Sequence, residues 1–179
     1  MNNRALNPST YFLNVLRQNP TAFALVSGSE KYPGINGRVN FYETRYGVLV
    51  QAQIFSLPTS QRTCNKKIFA FHIHSGTSCS GNSQDPFADA LTHYNPENCA
   101  HPNHAGDLPP LFGNNGYAFE IFLTNKFSVN EIIGKTVIIH SQEDDFTTQP
   151  AGNSGEKIAC GVIRRSLPRR TFNNRINRR

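Results

Sequence analysis

The strongest periodic signal in the chain is alternation of apolar and polar positions every second residue. Across residues 47–54, Val48, Val50, Ala52 and Ile54 share one face and Gln51 and Gln53 take the other, the pattern of a half-buried strand. Residues 67–74 (KIFAFHIH) repeat it, with Phe69, Phe71 and Ile73 on one side and Ala70, His72 and His74 on the other. Segments 117–124, 135–140 (KTVIIH) and 157–163 have the composition of further strands. From Phe23 onward, short apolar runs alternate with turn signals; Pro33-Gly34 and Asn36-Gly37 mark a tight connection. Helical character is confined to residues 11–17, inside a polar lead-in. Two stretches lack a period: residues 75–116, rich in Gly, Pro and Asn, and residues 141–156. Loops of that length inside a compact domain are functional or disordered, and the three histidines of the first argue for function.

Composition agrees with this pattern. A chain of 179 residues builds one domain with one core, and 13 Gly, 11 Pro, 13 Phe, 6 Tyr and no Trp suit a turn-rich β protein better than a helical bundle. The formal charge of +6 misleads as an average. Residues 164–179 hold seven of the 18 basic residues and none of the 12 acids, so the remaining body is close to neutral. This divides the chain into a lead-in (1–22), a domain (23–163) and an Arg-rich tail (164–179). A disordered, solvated tail is the favoured reading over contact with an anionic polymer or membrane, because only Phe172 interrupts the charge and no apolar face repeats. The apolar run 22–26 is too short for a membrane span or the apolar stretch of a signal peptide, so the sequence reads as cytoplasmic. Cys64, Cys79, Cys99 and Cys160 form no CxxC, and a cytoplasmic setting favours free thiols.

Histidine placement carries the chemistry. His72 and His74, two apart on one strand, project from the same face, although such a pair alone is commonly a surface or packing feature. His93, His101, His104 and Asp107 place three imidazoles and a carboxylate within 15 residues of loop, the donor set of a closed tetrahedral zinc site. His140 ends the KTVIIH strand, four residues before Asp144-Asp145, and carboxylates commonly take the second N–H of metal-bound imidazoles. These six are all the histidines of the chain; none falls in residues 1–70 or 141–179. Scattered packing histidines would not be confined in this way.

FHIHSG, the HYNP loop with HPNHAGDLPPLF, GKTVIIHSQEDDF and GNSGEKIACGVI together resemble copper/zinc superoxide dismutase, in the family's order and over residues 23–163. The bacterial, leaderless branch is the nearer likeness. The resemblance implies an all-β fold, an eight-stranded antiparallel Greek-key β-sandwich or flattened barrel with two long functional loops. It also implies copper and zinc as cofactors, superoxide as substrate and disproportionation to dioxygen and hydrogen peroxide as the reaction. By the same resemblance His72, His74, His93 and His140 are copper ligands, while His93, His101, His104 and Asp107 are zinc ligands. His93 is then shared as an imidazolate and carries a proton, and Asp144 hydrogen-bonds ligands of both metals. Cys79 and Cys160 match the family's intrasubunit disulfide, against the cytoplasmic default, while the pairing of Cys64 and Cys99 stays open. Family members are often homodimers, but no apolar stripe is visible in the sequence to derive one.

One departure concerns the anion guide. The family has Arg where this chain has Lys157, which keeps the charge and loses the planar fork; with Glu156 beside it, weaker anchoring of superoxide and reduced turnover are expected. The loop after His140 also looks shorter than in many eukaryotic members. Two competing readings follow. One is a copper- and zinc-binding or metal-buffering protein made inefficient by Lys157. The other is a zinc hydrolase, disfavoured because no Asp or Glu base accompanies an open three-ligand zinc motif.

Overall fold

The computed structural model describes residues 7–60 and 67–167. A helix, α1 (Pro8–Leu16), opens them, capped by Asn7, whose side chain accepts from the Ser9 N–H at 3.0 Å. Strands β1 (Ala22–Gly28), β2 (Asn36–Thr44) and β3 (Gly47–Phe55) follow as an antiparallel meander. Then come β4 (Ile68–Phe69), β5 (Phe71–His74), β6 (Leu111–Phe112), β7 (Ala118–Thr124), a short helix α2 (Val129–Ile132), β8 (Thr136–His140) and β9 (Lys157–Arg165).

Seven strands form one sheet in the order β5-β8-β9-β1-β2-β3-β7, and β4 pairs with β6. All these pairings are antiparallel. Only Ala70 separates β4 from β5, so the nine strand segments amount to the eight expected strands, one of them bent at Ala70. The Phe112 N–H reaches Glu120 Oε1 of β7 at 3.4 Å, bringing β6 to the far edge of the curled sheet. The result is a flattened antiparallel barrel.

Period-two patterning explains the interior. Ile163, Ala24, Val39 and Ala52 are register partners across β9, β1, β2 and β3, and all four are buried. Phe69, Phe71, Ile73, Val137 and Ile139 join the same core from β4, β5 and β8. Large buried aromatics and branched side chains of this kind contribute about 1.5–3 kcal/mol each through removal from water.

Three features depart from the pattern read along the chain. β9 runs on to Arg165, so Arg164 and Arg165 extend the last strand where a tail was expected; residues 168–179 lie outside the described residues, as does Cys64. Helix α2 interrupts the final third, announced by Ser128 and Glu131, whose reciprocal bonds form a capping box. Finally, β7 does expose an apolar row, Phe119, Ile121 and Leu123, on alternate positions of its outer face. Among the described residues, no helix is long and apolar enough to cross a membrane.

Candidate metal centre

Strands β5 and β8 are two-faced. Phe71, Ile73, Val137 and Ile139 point into the barrel, which turns His72, His74 and His140 to its outer side. That side is also buried, because residues 75–110 and 141–156 fold over it. β5 is the edge strand of the seven-stranded sheet, and the long loop docks along its free edge. The Tyr94 N–H donates to Ile73 O at 2.8 Å and the Ile73 N–H to Gly106 O at 2.8 Å. Isolated bridges set His72 opposite Asp107 and His74 opposite His93. This backbone docking brings the loop histidines beside the strand histidines.

Two groups of donors result: His72, His74, His93 and His140, and His93, His101, His104 and Asp107. Within each group the potential ligand atoms lie within 4.8 Å of one another, and every member is buried. His93 belongs to both.

The hydrogen bonds decide which ring atoms face inward. His74 Nδ1 donates to Leu91 O at 2.9 Å and His140 Nδ1 to Gly155 O at 3.3 Å, leaving their Nε2 atoms facing each other at 3.3 Å. Two imidazole lone pairs at that distance repel unless a cation lies between them. His72 uses Nε2 to donate to Asp144 Oδ2 at 2.9 Å, which turns its Nδ1 inward. In the second group, His93 Nδ1 lies 2.7 Å from Asp107 Oδ1, and His101 Nδ1 lies 3.1 Å from Asp107 Oδ2. His101 Nε2 donates to Asp144 Oδ1 at 2.8 Å. Asp144 therefore joins one ring of each group through its two oxygens.

These donors suit metal ions. His72 Nδ1 and His93 Nε2 are buried without any hydrogen-bond partner, a costly state for a polar atom unless something coordinates it. Burial lowers the basicity of His74 well below that of free imidazole and takes His140 down to about 3, with nearby His72 adding to the effect. Both rings are neutral at neutral pH and keep their lone pairs. Burial works to raise Asp144, but hydrogen bonds from His72, Phe146 N–H and His101 outweigh it and hold the carboxyl ionised below the usual carboxylate range. Gly152 makes room for this carboxylate: it sits at φ +66°, and a Cβ there would collide with Asp144 Oδ1.

Comparison with known proteins fits this geometry. Residues 35–163 match the family model described as copper/zinc superoxide dismutase. The chain belongs to the copper/zinc superoxide dismutase family. It is 33% identical over 143 residues to a Cu-Zn superoxide dismutase of Aquifex aeolicus, covering 72% of this chain and 78% of that protein. It is 32% identical over 136 residues to the Cu-Zn superoxide dismutase of Legionella pneumophila, with 72% and 77% covered. The Cu/Zn superoxide dismutase structure from Brucella abortus superposes with a TM-score of 0.67 at 25% identity, over 79% of this chain and 98% of that one. A double mutant of a SOD-like protein from Bacillus subtilis gives 0.62 at 30% identity, over 78% and 94%. Copper and zinc are accordingly the metals of this dismutase-family chain.

A cavity of about 590 Å³ opens onto His74, His93 and His140, with Lys157 and Asp85 on its wall. A register shift at Ile139/His140 sets Lys157 opposite His140 on the neighbouring strand, and such irregularities commonly re-aim side chains at sites. Lys157 Nζ donates to Asp85 Oδ2 at 2.7 Å and to Phe87 O at 3.1 Å. Glu156, expected to dilute the field beside Lys157, instead accepts from Lys31 Nζ and the Tyr32 hydroxyl, each at 2.7 Å. Asp85 is thus the acid that meets the lysine, and nothing in the sequence marks it. Cys79 and Cys160 form the disulfide, with Cα atoms 5.7 Å apart, tying the loop that carries Asp85 to β9. Cys99 takes no part in that bridge.

Proposed function

We propose that this chain disproportionates superoxide to dioxygen and hydrogen peroxide, two superoxide and two protons being consumed per cycle. In this reading His72, His74, His93 and His140 would hold copper, and His93, His101, His104 and Asp107 would hold zinc. The observation that carries it is His93, the one residue in both donor groups, whose Nε2 is buried without a partner while its Nδ1 lies in the Asp107 group.

When bound, copper supplies one-electron chemistry, oxidising one superoxide and reducing the next, while zinc, fixed in oxidation state, holds the loop and polarises the shared ring. The remaining work falls to side chains. Leu91 O and Gly155 O orient His74 and His140, and Asp144 orients His72 and His101. His93 Nε2 is the atom at which the chain can take a proton between half-reactions and pass it to the second superoxide. Lys157 supplies positive charge on the cavity wall, although Asp85 offsets much of it, so we expect turnover below that of a chain with a free cationic guide.

The test is superoxide consumption by the copper- and zinc-loaded chain, beside His93→Ala and Lys157→Arg. Turnover well above a free-copper control, at least about 100-fold lower in His93→Ala and no lower in Lys157→Arg, is expected from loss of a group with two roles. Wild-type consumption no faster than free copper would overturn the reading.

A further inference from the structure

Lys126 stands outside the loop that carries His93, His101, His104 and Asp107, yet its ammonium reaches that loop's backbone. Its Nζ donates to Pro102 O at 3.1 Å, to His104 O at 3.2 Å and to Asp107 O at 3.1 Å. An ammonium has three N–H donors, so one side chain directs its whole donor capacity to one short stretch. Two of those carbonyls belong to zinc-side residues and the third to the residue after His101. The lysine is itself well placed to do this. Just past β7, the Lys126 N–H donates to Thr124 Oγ1 at 3.2 Å, and the next residue, Phe127, is buried in the core.

Three carbonyl dipoles turned toward one point repel one another unless a cation sits among them. Without such an anchor, a loop of irregular backbone loses its conformational freedom only when the metal binds, and affinity falls by that ordering cost. The copper-side rings of His72, His74 and His140 need no equivalent help, because they stand on β5 and β8.

We propose that Lys126 is a positioning residue for zinc, holding the backbone of residues 102–107 ready for the ion before it arrives. The proposal rests on the ligand assignment given above. Two effects oppose each other here: a cation near a divalent ion repels it, whereas ordering of the loop favours binding. Lys126 is exposed, so water and salt screen the repulsion and the ordering effect wins.

The test compares the full chain with Lys126→Met and Lys126→Arg. Zinc affinity is measured by competition with a chromophoric chelator, cobalt(II) in the zinc site reports its geometry through the ligand-field spectrum, and copper affinity is measured alongside. Lys126→Met should lower zinc affinity about tenfold and alter the cobalt spectrum, with copper affinity changed less than about twofold. Lys126→Arg, which keeps several N–H donors, should recover most of the loss. Unchanged or tighter zinc binding in Lys126→Met, or equal losses for zinc and copper, would overturn the proposal. Asp107→Asn separates the two levels: if it leaves zinc affinity intact, the ligand assignment falls and this inference with it. If Asp107→Asn weakens zinc while Lys126→Met does not, only the inference falls.

Discussion

Lys157 shows how a single residue changes meaning once its neighbours are known. From the sequence it is a lysine, a positive charge expected to guide the anion. In the fold its side chain is only 14% exposed and its ammonium is bonded to Asp85 and Phe87 O. A paired cation steers anions weakly, because the field beyond the pair falls off quickly. Asp85→Asn is a mild change, since its Oδ1 can still accept from the Phe87 N–H, now at 3.0 Å, while the amide no longer neutralises the lysine. Turnover at low salt should rise several-fold in that variant and fall more steeply with added salt. Stopped-flow superoxide decay across ionic strengths measures both; unchanged salt dependence would mean that Asp85 does not restrain the guide. Such residues were not legible in the sequence. Asp85 lies 72 positions from Lys157, and Lys126 acts on backbone carbonyls, which no side-chain motif records. His93, His101, His104 and Asp107 were legible from their types and spacing, whereas the roles of His72, His74, His140 and Asp144 were legible only by joining short motifs through the resemblance to a family.

At the scale of elements, β5 was readable from its alternation and β8 from its strand-like composition, although both are buried on both faces. The segment 67–74 assigns Phe69, Phe71 and Ile73 to one side and the histidines to the other, and the fold keeps that division. The break at Ala70 was not readable; it arises where β4 leaves β8 to pair with β6. Burying neutral imidazoles has a consequence for stability. His72, His74 and His140 are all less basic in the folded chain than when unfolded, chiefly through burial, with His140 at about 3. Between the unfolded value of about 6.5 and that of His140, the unfolded state binds more protons, so acid favours unfolding. A ring that stays neutral in the fold while its unfolded counterpart is protonated costs about 1.4 kcal/mol per pH unit. Below the unfolded carboxyl value near 3.8, Asp144 adds to the loss, because its folded pKa is depressed. The metal-free chain should therefore melt at progressively lower temperature from pH 7 to pH 4, which calorimetry across that range checks. A flat or rising midpoint would mean that the rings are not held neutral.

On the scale of the whole molecule, the barrel supplies rigid strands and the loops complete the site. The Cys79–Cys160 bridge spans 81 residues and fastens the first loop to β9, a closure worth about 2–4 kcal/mol in chain-entropy terms. Asp144 fastens the second loop to β5 through His72 and to the first loop through His101. Everything then converges on one ring, His93, which both donor groups share. Crystals of the chain loaded with copper and zinc, with anomalous diffraction recorded at both absorption edges, test that convergence directly. One copper peak among His72, His74 and His140 and one zinc peak among His101, His104 and Asp107, with His93 between them, is the predicted result. A single metal position, or two positions of which only one is bound by His93, would contradict it.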